Sequence, residues 1–511
     1  MYYFKKLNEN YFIYFILIFV FIPLNYIPQL FDGVYIDYAF ETGNINATDF
    51  WYKDASRYVH FFIIYFINIL SKNTFLPAEI FLDNLAVLIL ILFCIEVKKY
   101  SKLLFDLEDR WCNLAALFTA IFPVWHTFVA FNVAQYLISI YCLLFGYRNF
   151  IKKKKIKILI GLIFIILAFD VESNLSFIVG LAFIHLILNK SNKLNDTSIS
   201  KLITIIIICV VYYLLKITYI PTSGYFQNYN KLSWHLVNDN LMSSRLLNNI
   251  LNYSTYLLLF IWIPLIFNLN VLIKNKKKLL KINQNFKFIN NYFLLIILSA
   301  FAIFPYLLVN KSSSILYLAD YYQRHAFLLA PISGIFFAIM FRDMAKINIF
   351  RNKVNLNLYL IIFIFINLIL LNYGNYRKIE SYHFRKNLII ELKAYGPIPK
   401  GDVQIISKNL PADLRTVEVS HMLYKAYNIA GWWGTMSEEL QENLSPGYRP
   451  NGKSIVIDEG YSTLNIVNDY SLECKSYIFL KNDLKKVDRF KKFYVINYRK
   501  HYNIDRVLKK C

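Results

Sequence analysis

The stretch 55–71, ASRYVHFFIIYFINILS, decides the topology that the sequence predicts. Its unbroken apolar part runs only from Phe61 to Leu70. As a helix this part is about 15 Å long, against a bilayer hydrocarbon core of roughly 30 Å. The short length predicts a helix that lies in the membrane interface instead of crossing it. Asp54, Arg57 and His60 stand near its start.

The rest of the chain is rich in longer apolar runs. Of its 511 residues 57% are hydrophobic, and the mean hydropathy is +0.40. A soluble protein of this composition would expose apolar patches that aggregate. We therefore expect a polytopic membrane protein with about eleven transmembrane helices, near 11–29, 80–97, 112–130, 133–150, 156–170, 175–189, 201–219, 251–272, 291–309, 326–341 and 357–373.

The basic residues support a count of eleven. The net charge is +23, but the lysines form short clusters between apolar runs, which is typical of cytoplasmic loops and not of a nucleic-acid-binding surface. With Lys5 and Lys6 inside, eleven spans keep the later clusters inside, whereas a span at 55–71 would move them outside. With eleven spans, three segments face the extracytoplasmic side: the first loop 30–78, the turn at Asp170 and Glu172, and the tail 374–511.

The tail 374–511 differs in composition from the apolar part, residues 1–373. Turn signals such as Gly396-Pro397 separate β-branched runs at Val403–Ile406 and Ser454–Ile457. These features predict a small α/β domain on the extracytoplasmic side. The tail contains no Gly-rich phosphate loop, and the six cysteines of the chain form no zinc-binding pattern.

Two outward segments carry candidate site residues. In the first loop, Asp37 lies among Tyr35, Tyr38 and Phe40, where a carboxylate is a candidate general base or can orient an acceptor hydroxyl. The alternative is a solvated acid beside interfacial aromatic residues. Asp54 and Arg57 are three residues apart, so they either belong to the same site or simply pair with each other.

The second segment is Tyr317–His325. Arg324 can bind a phosphate through two hydrogen bonds, His325 can donate another, and Tyr321 lies beside them. An arginine that anchors a helix end at lipid headgroups is the alternative. The polar turn Asp170-Val171-Glu172-Ser173-Asn174 and the pair Trp125-His126 are better explained by structure, as a hairpin turn and as interfacial anchoring.

The layout of residues 1–373 resembles the GT-C class of integral-membrane glycosyltransferases, and the run from Asp37 to Asp54-Ala55-Ser56-Arg57-Tyr58 resembles the first loop of bacterial O-antigen glucosyltransferases. Those enzymes usually carry two adjacent acids, whereas here Ile36 precedes Asp37 and Glu41 is the nearest second acid.

The resemblance implies transfer of a hexose from a polyprenyl-phosphate donor to a cell-surface glycan or lipid-linked acceptor, at the outer face of a bacterial inner membrane. Asp37, with Asp54, would serve catalysis. The residues that bind substrate would be Glu41, Arg57, Tyr321, Arg324 and His325. No cofactor is required, although two or more loop acids could hold a divalent metal.

Two other functions are alternatives to sugar transfer. A flippase or transporter of lipid-linked glycan would place ionisable residues at mid-membrane depth, often with internal repeats. A polysaccharide polymerase would act on the same kinds of substrate as the transferase. The outward tail and the absence of a sequence repeat favour the transferase over the transporter.

Overall fold

Helices account for most of the described chain. This computed structural model describes residues 55–74, 78–125, 131–190, 199–222, 247, 250–257, 286–308, 325–347, 357–371, 373, 403–407, 453–458 and 479–481. Its helices are α1 (Tyr58–Thr74), α2 (Ala78–Phe105), α3 (Asp109–Ala120), α4 (Phe131–Phe150), α5 (Lys155–Ala168), α6 (Ser173–Lys190), α7 (Ile199–Tyr219), α8 (Phe286–Leu308), α9 (Leu329–Ile347) and α10 (Asn357–Leu371). Contacts divide the described residues into two compact units, of which one contains the helices and the other three strands.

Side-chain contacts align the helix termini at two ends of the helical unit. At one end, Lys216 near the end of α7 pairs with Glu172, which precedes α6. At the other end, Lys201 near the start of α7 donates a 2.9 Å hydrogen bond to the carbonyl of Lys152, which precedes α5. We call the first the Asp170 end. We call the second the lysine end, because it carries Lys98, Lys99, Lys102, Lys152, Lys153, Lys154, Lys155, Lys201 and Arg342.

The helices from α2 onward run between these two ends. The hydroxyl of Tyr100 donates to the carbonyl of Leu144 at 2.8 Å, which places the late parts of α2 and α4 together at the lysine end. Ala78, at the start of α2, therefore lies toward the Asp170 end. α1 starts beside Asp170, and only three residues separate its end from the start of α2. Both ends of α1 therefore lie toward the Asp170 end, and α1 does not cross to the lysine end.

Aromatic rings and glycines pack the interior of the bundle. The ring of Phe118 in α3 lies 4.7 Å from that of Phe363 in α10 and 5.4 Å from that of Phe341 in α9. A Cβ atom on Gly334 of α9 would lie 2.5 Å from the carbonyl oxygen of Ala115. Glycine at this position therefore allows α3 and α9 to approach more closely than any side chain would permit.

The outer surface of the bundle is apolar. Helix α7 exposes Ile203, Ile207, Leu214 and Ile217, each by 49–57%. Among the described residues, one helix, Ser200–Tyr219, is long and apolar enough to cross a membrane, and shorter apolar helices lie within α1, α6, α8 and α10. The mostly helical character is thus confirmed, while the count of eleven spans stays a prediction.

The second unit contains three short parallel strands. They are β1 (Val403–Ser407), β2 (Lys453–Asp458) and β3 (Phe479–Lys481), in the order β1-β2-β3. In the register, Ile405 pairs with Ile455, and Ile457 pairs with Leu480. Strands β1 and β2 coincide with two of the β-branched runs in the tail sequence.

Candidate functional site

A buried carboxylate organises the Asp170 end. Asp170 lies in the turn between α5 and α6 and is 3% exposed. It accepts hydrogen bonds from the backbone nitrogens of Val59 at 3.2 Å and His60 at 3.1 Å. Both nitrogens belong to the first turn of α1, where amides have no partner inside the helix. A carboxylate more than a hundred residues away in the sequence therefore caps α1 and complements its helix dipole.

The same carboxylate holds the side chain of His60. A short contact joins Oδ2 of Asp170 to Nδ1 of His60, and both side chains are buried. An ionised carboxylate only accepts hydrogen bonds, so Nδ1 carries the proton in this contact. The three donors around Asp170 favour its ionised form, because hydrogen bonds to the charged form stabilise it.

A second ion pair lies two residues further along the turn. Nζ of Lys216 is 2.8 Å from Oε1 of Glu172 and donates a 3.3 Å hydrogen bond to the carbonyl of Asp170. Burial raises the pKa of Glu172, but Lys216 and Arg57 outweigh it and hold that pKa below its usual value of 4.5. Because 28% of the Glu172 side chain is exposed, the charged groups extend from the interior to the surface.

The residues just before α1 join the same group. The guanidinium of Arg57 lies over the ring of Tyr136, 5.6 Å from its centroid, near the start of α4. Ser56 has a φ of 57° and donates a 2.7 Å hydrogen bond to the carbonyl of Ile220. A non-glycine residue in this left-handed region costs about 1–3 kcal/mol, so the bond to Ile220 helps to hold the backbone that presents Arg57.

His325 connects to the turn through an aromatic ring. The rings of His325 and Tyr306 are 4.6 Å apart, and His325 is 1% exposed. The hydroxyl of Tyr306 lies 2.9 Å from Oγ of Ser173, the first residue of α6. The start of α6, the end of α8 and the segment before α9 therefore lie together in space. Ser173, which belongs to this group, directly follows Glu172 in the sequence.

We call the group formed by Arg57, His60, Asp170, Glu172 and Lys216 the charged cluster. It contains two carboxylates, an arginine, a lysine and a histidine. Side chains of this kind can transfer protons and can bind an anionic group through the arginine and the lysine. The described residues contain no group of three or more His, Cys, Asp or Glu side chains that could hold a metal ion.

The structure describes only part of the site that the sequence predicts. Arg57 lies in the charged cluster, and His325 contacts Tyr306. The other predicted site residues lie outside the described residues; these are Asp37, Glu41, Asp54, Tyr321 and Arg324.

Sequence reasoning missed most members of the charged cluster. Asp170 and Glu172 looked like ordinary residues of a polar turn, but the structure surrounds them with charged side chains from α1 and α7. Lys216 was the available signal, because a lysine inside the apolar run 201–219 needs a partner. Searches of protein-family models, curated proteins and solved structures found no match to this chain.

Proposed function

We propose that the protein is an integral-membrane glycosyltransferase that moves a sugar from a polyprenyl-phosphate donor to a glycan or lipid-linked acceptor at the outer face of a bacterial inner membrane. The observation that carries the proposal is the charged cluster: ionisable side chains gathered at one end of a bundle whose outer surface is apolar. Such groups are costly near a membrane and are typically retained for function.

Exposed apolar side chains favour a membrane location. On α5, the residues Ile156, Leu159, Ile163 and Ile166 are 46–68% exposed. They follow each other at helical spacing, as the exposed residues of α7 do. Water would disfavour such continuous surfaces, whereas lipid chains would solvate them.

The alternation of helices supports the predicted topology. Helices α2, α4, α6 and α9 run toward the lysine end, and α3, α5, α7, α8 and α10 run back, with the predicted span 251–272 between α7 and α8. The lysine end would face the cytoplasm by the positive-inside rule. The Asp170 end and the segment after α10, which leads to the tail, would then face outward.

The position of the charged cluster favours a transferase over a transporter. Arg57 and His60 flank the start of α1, Asp170 and Glu172 lie between helices, and Lys216 is three residues from the end of α7. A transporter would place its substrate site near mid-membrane depth. A site at a membrane face suits a donor that stays in the lipid while its acceptor approaches from water.

Reporter fusions test the topology. Alkaline phosphatase joined after residues 100, 153, 276 and 380 should be active only after 380, because the first three positions lie among the basic clusters. Activity after 153 or 276, or its absence after 380, would contradict eleven spans.

A transfer assay tests the reaction. Purified protein in nanodiscs would receive a synthetic short-chain polyprenyl phosphoglucose and lipid-linked glycan from native membranes, and release of polyprenyl phosphate would be measured. We expect Arg57→Ala to lower the rate by about 10²–10³-fold, since it removes a cation placed to stabilise the leaving phosphate. Arg110→Ala is the matched control, because Arg110 also lies over an aromatic ring, 4.1 Å from the centroid of Trp111, but outside the charged cluster.

Two results would contradict the proposed reaction. One is a wild-type protein that consumes no polyprenyl phosphosugar in a panel of common hexoses. The other is an equal rate for Arg57→Ala and Arg110→Ala, which would separate Arg57 from the reaction.

A further inference from the structure

Asp170 holds one ring nitrogen of His60, and the other has no hydrogen-bond partner among the described residues. Asp170 binds Nδ1, so Nε2 points away from the carboxylate. Within the described part of the chain, Nε2 is buried and has no hydrogen-bond partner. A buried polar atom without a partner destabilises the fold. A ligand that supplies the missing hydrogen bond would remove this cost.

The contact with Asp170 also selects the form of the ring. With the proton on Nδ1, a neutral imidazole presents a lone pair at Nε2, and that nitrogen can accept a proton. The ionised carboxylate then stabilises the positive charge that proton uptake creates on the ring. Asp170 is itself fixed by the amides of Val59 and His60, so the pair of His60 and Asp170 is positioned before any substrate binds.

Charged side chains beside the His60–Asp170 pair are suited to bind the phosphate of the sugar donor. Arg57 and Lys216 supply positive charge near Glu172, and the partly exposed Glu172 marks where the charged cluster meets the surface. A donor phosphate near these cations and an acceptor hydroxyl near Nε2 would lie within a few side chains of each other.

We infer that His60, oriented by Asp170, is the group that takes the proton from the acceptor hydroxyl during sugar transfer, an inference that rests on the proposed function. The hydroxyl oxygen forms the new bond to the anomeric carbon, and the bond from that carbon to the phosphate oxygen breaks. The phosphate leaves with the bonding electrons, while the hydroxyl proton moves to Nε2. Asp37 would then orient the acceptor and would not need to remove its proton.

Chemical rescue separates this role from a structural one. We expect His60→Ala to lower transfer from the polyprenyl phosphoglucose by about 10²–10⁴-fold, the usual contribution of a general base. Binding of the donor should persist. Sodium azide should restore donor consumption and yield a glycosyl azide, because azide attacks without losing a proton and needs no base.

A second buried histidine provides the control. His185 is fully buried, and its Nδ1 lies 3.1 Å from the hydroxyl of Tyr147, away from the charged cluster. His185→Ala should change the melting temperature without a rate loss that azide reverses. His60→Gln, which retains hydrogen-bonding capacity but does not take up a proton at neutral pH, should be as slow as His60→Ala.

Three results would overturn the inference, and each has a different meaning. If the wild type transfers no sugar, the proposed function fails and this role fails with it. If the wild type is active and His60→Ala keeps most of that activity while Asp37→Asn loses it, Asp37 is the base. If folded His60→Ala binds donor, is inactive and gives no glycosyl azide, then His60 does not act by taking up a proton.

Discussion

Replacing Gly161 with alanine tests the close contact between α4 and α5. A Cβ atom at residue 161 would lie 2.4 Å from the backbone nitrogen of Phe150 and 2.7 Å from the carbonyl oxygen of Gly146. Real Cβ contacts are essentially never shorter than 3.0 Å, so the two backbones must separate by at least about 0.6 Å. Both obstructing atoms are backbone atoms, and no rotation of a side chain can relieve the overlap.

The expected cost follows from overpacking of a tight interface. We expect Gly161→Ala to lower the free energy of unfolding by about 1–3 kcal/mol, equivalent to a fall of roughly 2–6 °C in the melting midpoint. Tryptophan fluorescence of the detergent-solubilised protein during heating would measure it. Ile163→Ala, in the same helix, is the control because Ile163 is 48% exposed. An unchanged midpoint for Gly161→Ala, or an equal fall for the control, would refute the reasoning.

Two further predictions concern charged groups. Glu96 is buried and bonds Nε and Nη2 of Arg148 at 2.5 and 3.0 Å, so Glu96→Gln should cost about 3–5 kcal/mol in unfolding free energy; Asp109→Asn, which breaks an exposed pair with Lys102, should leave the melting midpoint unchanged, and equal midpoints for both variants would contradict this. The depressed pKa of Glu172 stabilises the fold above its usual value of 4.5, and this stability is lost as the pH falls through the lower folded-state pKa. The melting temperature of Glu172→Gln should therefore fall less than that of the wild type between neutral and acidic pH. If both proteins lose the same amount, the ion pair with Lys216 is not the source of the pH dependence.

Hydropathy predicts where helices occur because burial and lipid contact both require apolar runs. The predicted runs 133–150 and 201–219 fall within α4 and α7. The run 112–130 shows the limit of this reasoning, since α3 ends at Ala120 and Pro123 follows. Proline lacks an amide proton and disfavours helix in the residue before it, whereas hydropathy does not register either effect.

The charged cluster was harder to predict because its members are far apart in the sequence. The spacing from Asp54 makes Arg57 a candidate in the sequence, and the structure places Arg57 near Glu172 and Tyr136. Asp170 and His60 are 110 residues apart, and no local pattern connects them. A polar turn needs no special explanation in a sequence, so only the fold reveals that its carboxylate caps a distant helix.

The anchoring of α1 has a consequence for biosynthesis. The start of α1 is held by Asp170, 110 residues downstream, and by the carbonyl of Ile220, which is 164 residues from Ser56. At about 5–20 residues per second, a ribosome needs roughly 8–33 s to make that intervening chain. Asp170 itself appears after about 6–22 s of this interval, and until then α1, with its exposed Phe62 and Phe66, has neither anchor. We therefore expect a membrane surface or an insertion factor to cover α1 at least until α7 has been synthesised.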